Sequence, residues 1–254
     1  MDLRRDLASM KEVAVAFSGG LDSALLLKVA SDECERTMGL IGVSDIIAKY
    51  EIELAEEIAD SIDVPLVKVL VPLMDEEEFL MNDRERCYLC KRLLFETLLK
   101  RSRAEGFKRL IDGTNSSDLL DDRPGNRAIL ELGVDTPLAE LNISKSDVRM
   151  IAHRLGLGFA DRPENTCLAT RIPSGYPITL SRLRRIEKAE QYLRSLGISD
   201  IRVRDHDGIA RVDVPQDQMI IVLGNSNAVS EKLLSLGFDF VTLDLKPLRS
   251  GTLD

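Results

Sequence analysis

Tryptophan is absent from this chain of 254 residues, and aromatic residues make up only 4% of it. The hydrophobic core must therefore consist mainly of Leu, Ile, Val and Ala. Hydrophobic residues still account for 44% of the sequence and charged residues for 30%, which is typical of a globular protein. The length suits one large domain, or a medium-sized domain followed by a small one.

Long apolar runs are also missing, because none approaches the roughly 20 residues that a membrane-spanning helix needs. The first six residues, MDLRRD, lack the apolar stretch of a signal peptide. There are four cysteines, and in an intracellular chain of this length they indicate metal binding or catalysis rather than disulfides. We therefore expect a cytoplasmic protein with no membrane partner.

An excess of positive charge is also missing, because 43 Asp and Glu residues outnumber 34 Lys and Arg residues and give a formal net charge of −9. Nucleic-acid binding needs clustered Lys and Arg side chains that neutralise phosphates. We therefore expect no nucleic-acid partner, although residues 84–92 carry a local group of basic side chains.

The most informative segment is VAVAFSGGLDS, at residues 13–23. Its apolar start predicts a strand, Ser-Gly-Gly predicts a tight turn, and Asp-Ser opens a stretch with helical character. Such a turn presents backbone N–H groups and the positive end of a helix dipole to an anion. Glycine also lets the backbone approach phosphate oxygens without a Cβ in the way. The segment predicts a loop that binds the pyrophosphate of ATP, formed by Ser18, Gly19, Gly20, Asp22 and Ser23.

Other glycine-rich loops fit this segment less well. A Walker A loop needs a lysine directly after its last glycine, whereas the next lysine here is Lys28, and a dinucleotide fingerprint needs Gly-x-Gly-x-x-Gly. The residues around Ser18 come close to Gly-x-Ser-x-Gly, the nucleophile elbow of a serine hydrolase. That alternative has only His153 and His206 for its triad, and too little sheet precedes Ser18.

Predicted strands alternate with predicted helices through the first half of the chain. This alternation predicts an α/β fold, in which a parallel sheet carries helices on both faces. Ligands bind at the carboxyl ends of the strands in such sheets, which is where the Ser-Gly-Gly turn falls. Strands are expected at 13–17, 39–43, 64–71 and 109–112, and helices at 1–10, 22–34, 48–61 and 88–105.

The pattern changes after a helix at 144–155 and a loop rich in Gly and Pro at 156–178. The remaining elements predict a second, smaller α+β unit, and the Asp207-Gly208 turn is typical of a β-hairpin. Its helices are expected at 180–196 and 216–236, and its strands at 201–205, 209–214 and 239–245.

Three of the cysteines form a potential metal site. Cys87 and Cys90 have Cys-x-x-Cys spacing near a helix start, with basic neighbours that favour thiolates, and Cys167 lies in the loop rich in Gly and Pro. Zinc would need a fourth ligand, such as Cys34 or a histidine. Three thiolates instead suit a [4Fe-4S] cluster with one iron open to a ligand such as hydrosulfide. Cys34 follows an apolar helix, which favours a buried structural thiol.

The string Ser-Gly-Gly-x-Asp-Ser resembles the signature of the PP-loop ATP pyrophosphatases. The resemblance implies cleavage of ATP between its α and β phosphates and transfer of AMP to a carbonyl or carboxylate oxygen. A nitrogen or sulfur nucleophile then displaces AMP. The loop, together with Mg²⁺, would stabilise the charge on the leaving pyrophosphate.

Further strings look like one family within that group, the LarE sulfur-insertion enzymes. They span nearly the whole chain, which makes the resemblance far more specific than the ATP loop alone. The strings are RCYLCK at 86–91, DGTN at 112–115, DRPG at 122–125, TPL at 136–138, KSDVR at 145–149, CLATRIP at 167–173, RVR at 202–204, and the segment 245–253 with RSG at 249–251.

The family resemblance implies an ATP-dependent sulfur transferase of nickel-pincer nucleotide biosynthesis. Such enzymes convert the carboxylates of pyridinium-3,5-biscarboxylic acid mononucleotide, a small-molecule nucleotide, into thiocarboxylates. We expect a PP-loop domain over residues 1–175 and a substrate-binding and oligomerisation domain over 176–254. The resemblance also implies a homo-oligomer, with a hexamer as the expected state, and a sulfur donor that the sequence does not identify.

Two sets of residues are assigned to the nucleotide and the substrate. Asp22 would organise the ATP loop and Mg²⁺. Gly113, Thr114 and Asn115 follow the strand predicted at 109–112 and would line the nucleotide site; alone they read as a plain turn. The substrate phosphate would be bound by Arg202, Arg204 and Arg249, because a guanidinium fork suits that anion, although a solvated strand face remains the other interpretation.

The sulfur would come by one of two routes. In one, Cys87, Cys90 and Cys167 hold the cluster and a sulfide on its open iron attacks the acyl adenylate. In the other, the thiolate of Cys167 attacks and the residue becomes dehydroalanine. Glu190 lies in a family-like string but is expected on a helix surface. The residues GFA at 158–160 and KPL at 246–248 differ from the sequence that is usual in the family. We expect these differences to change details of the substrate pocket and not the loop or the thiols.

Alternative functions stay open at this point. The chain could be a PP-loop enzyme that thiolates tRNA or makes an amide. A non-catalytic iron–sulfur or zinc storage protein would use the cysteines alone, and a serine hydrolase would use Ser18.

Overall fold

The computed structural model describes residues 2–119, 124–160 and 166–248. Its contacts divide the chain into two compact units. The first comprises Met1–Ser44, Lys49–Asp75 and Glu85–Arg162, and the second comprises Asp45–Ala48, Glu76–Arg84 and Pro163–Asp254. The division into functional domains at residue 175 stays a prediction.

The first unit contains a four-stranded, all-parallel sheet, which confirms the predicted α/β class. Its order is β3-β2-β1-β4, so β1 lies inside the sheet. All four strands expected from the sequence are present, with ends shifted by a few residues. They are β1 (Glu12–Ala16), β2 (Arg36–Val43), β3 (Leu66–Leu70) and β4 (Leu110–Asp112).

The strand order creates a topological switch point beside β1. From β1 the chain moves to β2 and then to β3 on one side, and then crosses to β4 on the other side of β1. The loops after β1 and β4 therefore leave the same edge of the sheet as neighbours. In open parallel sheets this is where ligands bind.

Helices pack on both faces of this sheet. Val13 and Val15 of β1 join one hydrophobic cluster, whereas Ala14 and Ala16 join a second cluster on the opposite face, as the alternation of side chains along a strand requires. Helix α2 (Leu21–Glu33) is apolar nearly all round and buries seven of its residues in the first cluster or beside it. This packing holds the first turn of α2 next to the end of β1.

Up to residue 160, the other helices that the sequence predicts are present, whereas short helical elements were missed. Four short elements were not predicted: a 3₁₀ helix at Leu73–Asp75, α4 (Glu77–Leu80), α6 (Pro124–Glu131) and α7 (Pro137–Glu140). Proline at the first position of α6 and α7 is a typical helix start, but eight or four residues carry little periodicity. The predicted helices are α1 (Leu3–Met10), α3 (Lys49–Ile62), α5 (Arg86–Ala104) and α8 (Lys145–Arg154).

The second unit contains a three-stranded sheet with the order β5-β6-β7, the α+β arrangement expected from the sequence. Strands β5 (Arg202–His206) and β6 (Ile209–Asp213) form an antiparallel hairpin, and β7 (Phe240–Leu243) is parallel to β6. The hairpin turn has positive φ at Asp207 (51°) and Gly208 (95°), which matches the strand twist and confirms the predicted turn.

The single helix predicted at 216–236 is wrong. The chain forms a 3₁₀ turn at Gln216–Gln218, then α10 (Met219–Gly224) and α11 (Ser226–Ser235). The break falls at Asn225, whose side-chain amide donates to the carbonyl of Ile221 at 2.8 Å and so competes with the backbone ladder. Helix α9 (Leu180–Ser195) is present as predicted, and the loop at 156–178 contains a 3₁₀ helix at Leu168–Arg171.

A helix that could span a membrane is not found in the described part of the chain.

Candidate active site

The loop after β1 is held together by its own two serines. The backbone N–H of Ser18 donates to Ser23 Oγ at 3.2 Å, and Ser23 Oγ donates to the carbonyl of Gly20 at 3.0 Å. The N–H of Gly20 in turn donates to Ser18 Oγ at 3.3 Å. The loop is therefore pre-formed, and a ligand would not have to order it.

Two glycines open this loop to a ligand. Gly19 has φ of 76°, and a Cβ there would lie 3.0 Å from the Cβ of Ala55, so a side chain is excluded on both counts. Gly20 is the N-cap residue of α2 and supplies no side-chain cap. The start of α2 can thus present backbone donors and its dipole to an anion, as the sequence predicted.

The loop after β4 lies against the loop after β1. A Cβ on Gly113 would come within 2.7 Å of the backbone nitrogen of Ser23. Asn115 is fully buried, and its Nδ2 donates to Asp22 Oδ1 at 3.2 Å. Thr114 turns back onto β4, since its N–H donates to Asp112 Oδ1 at 3.0 Å and its hydroxyl contacts the same oxygen. The structure thus brings Gly113 and Asn115 beside the loop after β1, whereas Thr114 is bonded to Asp112.

Asp112 and Asp118 were not singled out from the sequence, yet both belong to this arrangement. Asp112 ends β4 and is 8% exposed, while Asp118 Oδ2 accepts from the N–H of Asn115 at 3.3 Å. Asp112 is the first residue of the DGTN string at 112–115, and that string is the feature of the sequence from which its place in the site could have been predicted.

Cys87 and Cys90 lie one turn apart at the start of α5, in the first unit. Cys87 is exposed and Cys90 is partly exposed, and Arg86 Nη2 lies 3.9 Å from Cys87 Sγ. All four cysteines of the chain lie in the described part, and none of them forms a disulfide. Across residues 2–119, 124–160 and 166–248, no three His, Cys, Asp or Glu side chains form a ready-made metal site.

Cys167 lies in the second unit, as the N-cap residue of the 3₁₀ helix at Leu168–Arg171. Its carbonyl oxygen accepts from the hydroxyl of Thr170 at 2.7 Å and from Arg171 Nη1 at 3.2 Å. The backbone at Cys167 is therefore held from several sides, while its side chain stays partly exposed.

Arg171 is anchored by Glu190, and the helix-surface position expected for Glu190 is wrong. Arg171 is 1% exposed, and its Nε donates to Glu190 Oε1 at 2.9 Å. Glu190 is 2% exposed rather than on a helix surface, and it also accepts from the N–H of Val203 at 3.0 Å. Arg171 was quoted only as part of the CLATRIP string, so this clamp on the Cys167 backbone was missed.

Arg202 and Arg204 do not lie on a solvated strand face, because they are only 4% and 8% exposed. Arg204 Nε donates to Asp213 Oδ2 at 2.7 Å. Nε of Arg202 is buried and has no hydrogen-bond partner among the described residues. Burial, followed by the nearby charges of Arg171 and others, lowers the pKa of Arg202. Arg249, the third predicted member, lies outside the described residues.

Cys34, the fourth cysteine, caps the end of α2 and packs against the core. Its Sγ donates to the carbonyl of Leu7 at 3.3 Å. Burial raises the pKa of Cys34, with a smaller opposing effect from the hydrogen bond to Thr37. These features fit a structural thiol.

Comparison with known proteins assigns the chain to a family. No protein-family model matches it. It is 37% identical over 256 residues to an uncharacterized protein of Synechocystis sp., covering 100% of this chain and 96% of that protein. It is 32% identical over 250 residues to the pyridinium-3,5-bisthiocarboxylic acid mononucleotide synthase of Lactiplantibacillus plantarum, covering 98% and 91%. An uncharacterized protein of Methanocaldococcus jannaschii is 32% identical over 240 residues, covering 94% and 92%.

The parallel sheet with a serine- and glycine-bearing loop at its switch point is the architecture of a PP-loop domain, followed here by a smaller α+β part. Identity of about one third over nearly the full length of a named synthase narrows the assignment. The chain belongs to the LarE family of enzymes.

Proposed function

We propose that the protein is an ATP-dependent sulfur transferase that converts the carboxylates of pyridinium-3,5-biscarboxylic acid mononucleotide into thiocarboxylates. Family membership supports the substrate and the product. The observation that carries the ATP-dependent step is the contact between the loops after β1 and β4, with Gly113 against Ser23 and Asn115 bonded to Asp22. These loops meet at the switch point, where a parallel sheet binds its ligand.

The first half-reaction would activate a substrate carboxylate. A carboxylate oxygen attacks the α-phosphorus of ATP, the bond from that phosphorus to the oxygen bridging to the β-phosphate breaks, and an acyl adenylate and pyrophosphate result. The start of α2 and the backbone around Gly19 and Gly20 would hold the phosphates. Mg²⁺ would neutralise phosphate charge, and the carboxylate of Asp22 is a donor of the type that this ion prefers.

The second half-reaction would exchange oxygen for sulfur. A sulfur nucleophile attacks the acyl carbon, and AMP leaves with the former carboxylate oxygen. Arg171 would hold the backbone of Cys167 in place during this step through its bond to the Cys167 carbonyl. The sulfur would come from a donor molecule by way of a cluster, or from the Cys167 thiolate itself.

A [4Fe-4S] cluster fits the donor types of this chain. Cys87 and Cys90 offer two thiols one helical turn apart, and Cys167 would be the third ligand. When bound, the cluster would supply one iron free of protein ligands on which a sulfide could be carried. This assignment and the Mg²⁺ site are part of the proposal.

The phosphate of the mononucleotide would bind at Arg202 and Arg204. Asp213 partly neutralises Arg204, whereas the buried Nε of Arg202 lacks an acceptor in the described structure. A buried N–H group without an acceptor is costly, and a phosphate oxygen would supply one to Arg202 Nε. We further propose a cytoplasmic homo-oligomer that has a small-molecule substrate and no nucleic-acid partner.

The direct test is an oxygen-free reaction of the purified protein with ATP, Mg²⁺ and the biscarboxylic nucleotide. Release of AMP and pyrophosphate, with sulfur-for-oxygen exchange in the product by mass spectrometry, is the expected result. ATP cleavage that needs tRNA rather than the nucleotide, together with a gel shift of bulk tRNA, would favour the tRNA-thiolating alternative. No ATP cleavage with either would reject the proposal.

A second experiment separates the two sulfur routes. Iron and acid-labile sulfide are measured after oxygen-free reconstitution, in the wild type and in Cys87→Ala, with Cys34→Ala as the matched control. We expect iron uptake that Cys87→Ala abolishes and Cys34→Ala keeps, and an intact Cys167 after turnover. Stoichiometric zinc without iron would contradict the cluster, and loss of hydrogen sulfide from Cys167 would show the sacrificial route.

A further inference from the structure

The side chain of Asn115 lies beside the loop after β1 and makes three hydrogen bonds. It is 0% exposed. Its Oδ1 accepts from the N–H of Ser117 at 2.9 Å and from the N–H of Asp118 at 3.2 Å, which closes a turn after β4. Its Nδ2 donates to Asp22 Oδ1 at 3.2 Å.

This pattern fixes which end of the amide faces which partner. Both partners of Oδ1 are backbone N–H groups, which can only donate, so the oxygen of Asn115 has to face them. The NH₂ group is then forced toward Asp22, whose carboxylate can only accept when ionised. The turn thus aims one donor at the acidic residue of the ATP loop.

The two loops are also in steric contact next to this bond, where Gly113 touches the backbone of Ser23. The turn that carries Asn115 is therefore packed against the start of α2, and its amide reaches Asp22 from a fixed position. Because Asn115 has no exposed surface, a bound nucleotide would not reach it without a change in the turn.

We infer that Asn115 is a positioning residue, which orients the Asp22 carboxylate for phosphate and metal chemistry and does not itself contact the nucleotide. The inference rests on the proposed ATP-dependent function. It replaces the expectation that Asn115 lines the nucleotide site directly. The expectation for Gly113, which packs against the loop after β1, is unchanged.

Two substitutions at position 115 separate orientation of Asp22 from integrity of the turn. Asn115→Asp keeps an oxygen that can accept from Ser117 and Asp118, but it presents an oxygen instead of a donor to Asp22. Asn115→Ala removes both functions. The matched control is Asn126→Ala, since Nδ2 of Asn126 donates to a backbone group of the same region, the Asp118 carbonyl, at 2.7 Å.

The readout is AMP formation from ATP in the presence of the biscarboxylic nucleotide, with kcat and the KM for ATP measured separately and folding checked by thermal unfolding. We expect both position-115 variants to lower kcat by about tenfold, the effect of one hydrogen bond to a charged group, and to leave the KM for ATP within about twofold. Asn126→Ala should keep the wild-type kcat.

A double-mutant cycle with Asp22→Ala, measured in single turnovers, tests whether Asn115 acts through Asp22. We expect Asn115→Ala to cost little in the Asp22→Ala background. Additive losses, a raised KM with unchanged kcat, or wild-type kcat in Asn115→Asp would each overturn the inference while ATP cleavage stands. If the wild type forms no AMP, the proposed function itself fails and the inference falls with it.

Discussion

Gly113 and Ser23 touch across two loops: a Cβ built on Gly113 would lie 2.7 Å from the Ser23 nitrogen and 2.9 Å from its Cα. Both of these atoms belong to the backbone of the first turn of α2, which cannot move aside as the end of a long side chain can. Position 113 is therefore restricted to glycine by packing, not by its own backbone conformation.

Gly113→Ala should push the loops after β1 and β4 apart. We expect a loss of about 1–3 kcal/mol in the free energy of unfolding, the usual cost of overpacking, and at least a tenfold loss of ATP-dependent AMP formation. Thermal unfolding and the AMP assay measure the two effects. Gly224→Ala is the matched control, because a Cβ there meets nothing within 4 Å. An alanine at 113 with wild-type activity would contradict this account.

Arg171→Met should be among the most damaging substitutions in the second unit. It leaves Glu190 as a buried carboxylate without its charged partner, and breaking such a pair costs about 3–5 kcal/mol in the free energy of unfolding. Replacing both residues, as in Arg171→Met with Glu190→Leu, should recover part of this loss in chemical denaturation. Lys68→Met breaks an exposed pair with Glu56 and should change stability by no more than about 1 kcal/mol. Equal losses for Arg171→Met and Lys68→Met would show that burial of the pair is unimportant.

Arg202→Met should stabilise the protein without ligand and weaken its binding of phosphate. Burial, followed by repulsion from Arg171, lowers the pKa of Arg202, so replacing the guanidinium removes a buried charge that lies near another positive charge. We expect a higher unfolding temperature without phosphate, and a smaller upward shift when inorganic phosphate is titrated in. If phosphate stabilises the variant as much as the wild type, Arg202 is not part of the anion site.

His206 should make stability depend on pH. Burial, followed by Arg211 and Arg204, lowers the pKa of His206 below its usual 6.5, against smaller opposite effects of Asp213 and Asp205. The unfolded chain therefore binds a proton at a pH where the folded protein does not, so this contribution is present at neutral pH and is lost as the pH falls below about 6.5.

The expected result is a smaller fall of the unfolding temperature between pH 7.5 and pH 5.5 in His206→Gln than in the wild type. His153→Gln, with an exposed imidazole at the end of α8, is the matched control for removing a histidine. An unchanged pH dependence in His206→Gln would assign the effect to other groups.

The sequence was sufficient where the signals are local. Strand β1, its glycine turn and α2 were predicted to within one residue, because an apolar run, a Ser-Gly-Gly turn and a helix start follow one another directly. The Asp207-Gly208 hairpin was likewise predicted from two residues. Gly113 was also placed correctly beside the loop after β1, because it directly follows a strand that the sequence predicts at 109–112.

Long-range pairing could not be predicted in this way. Arg171 and Glu190 are 19 residues apart in the chain, and the helical position of Glu190 alone does not reveal a buried partner. The break at Asn225 was missed for the opposite reason, since apolar spacing continues through α10 and α11 while one side-chain bond ends the first helix. The direction in which the Asn115 amide points depends on a contact with a residue 93 positions earlier.

The second unit is assembled from three separate stretches of the chain, with parts of the first unit between them. Asn82, in one of the short stretches, is fully buried and donates to the carbonyls of Pro173 at 2.9 Å and Tyr176 at 2.8 Å. A fragment that starts at residue 163 would lack this internal anchor. A chimera of two related proteins joined between residues 84 and 163 would combine position 82 of one parent with the carbonyl acceptors of the other, so we expect the stability of its second unit to depend on keeping an asparagine at position 82.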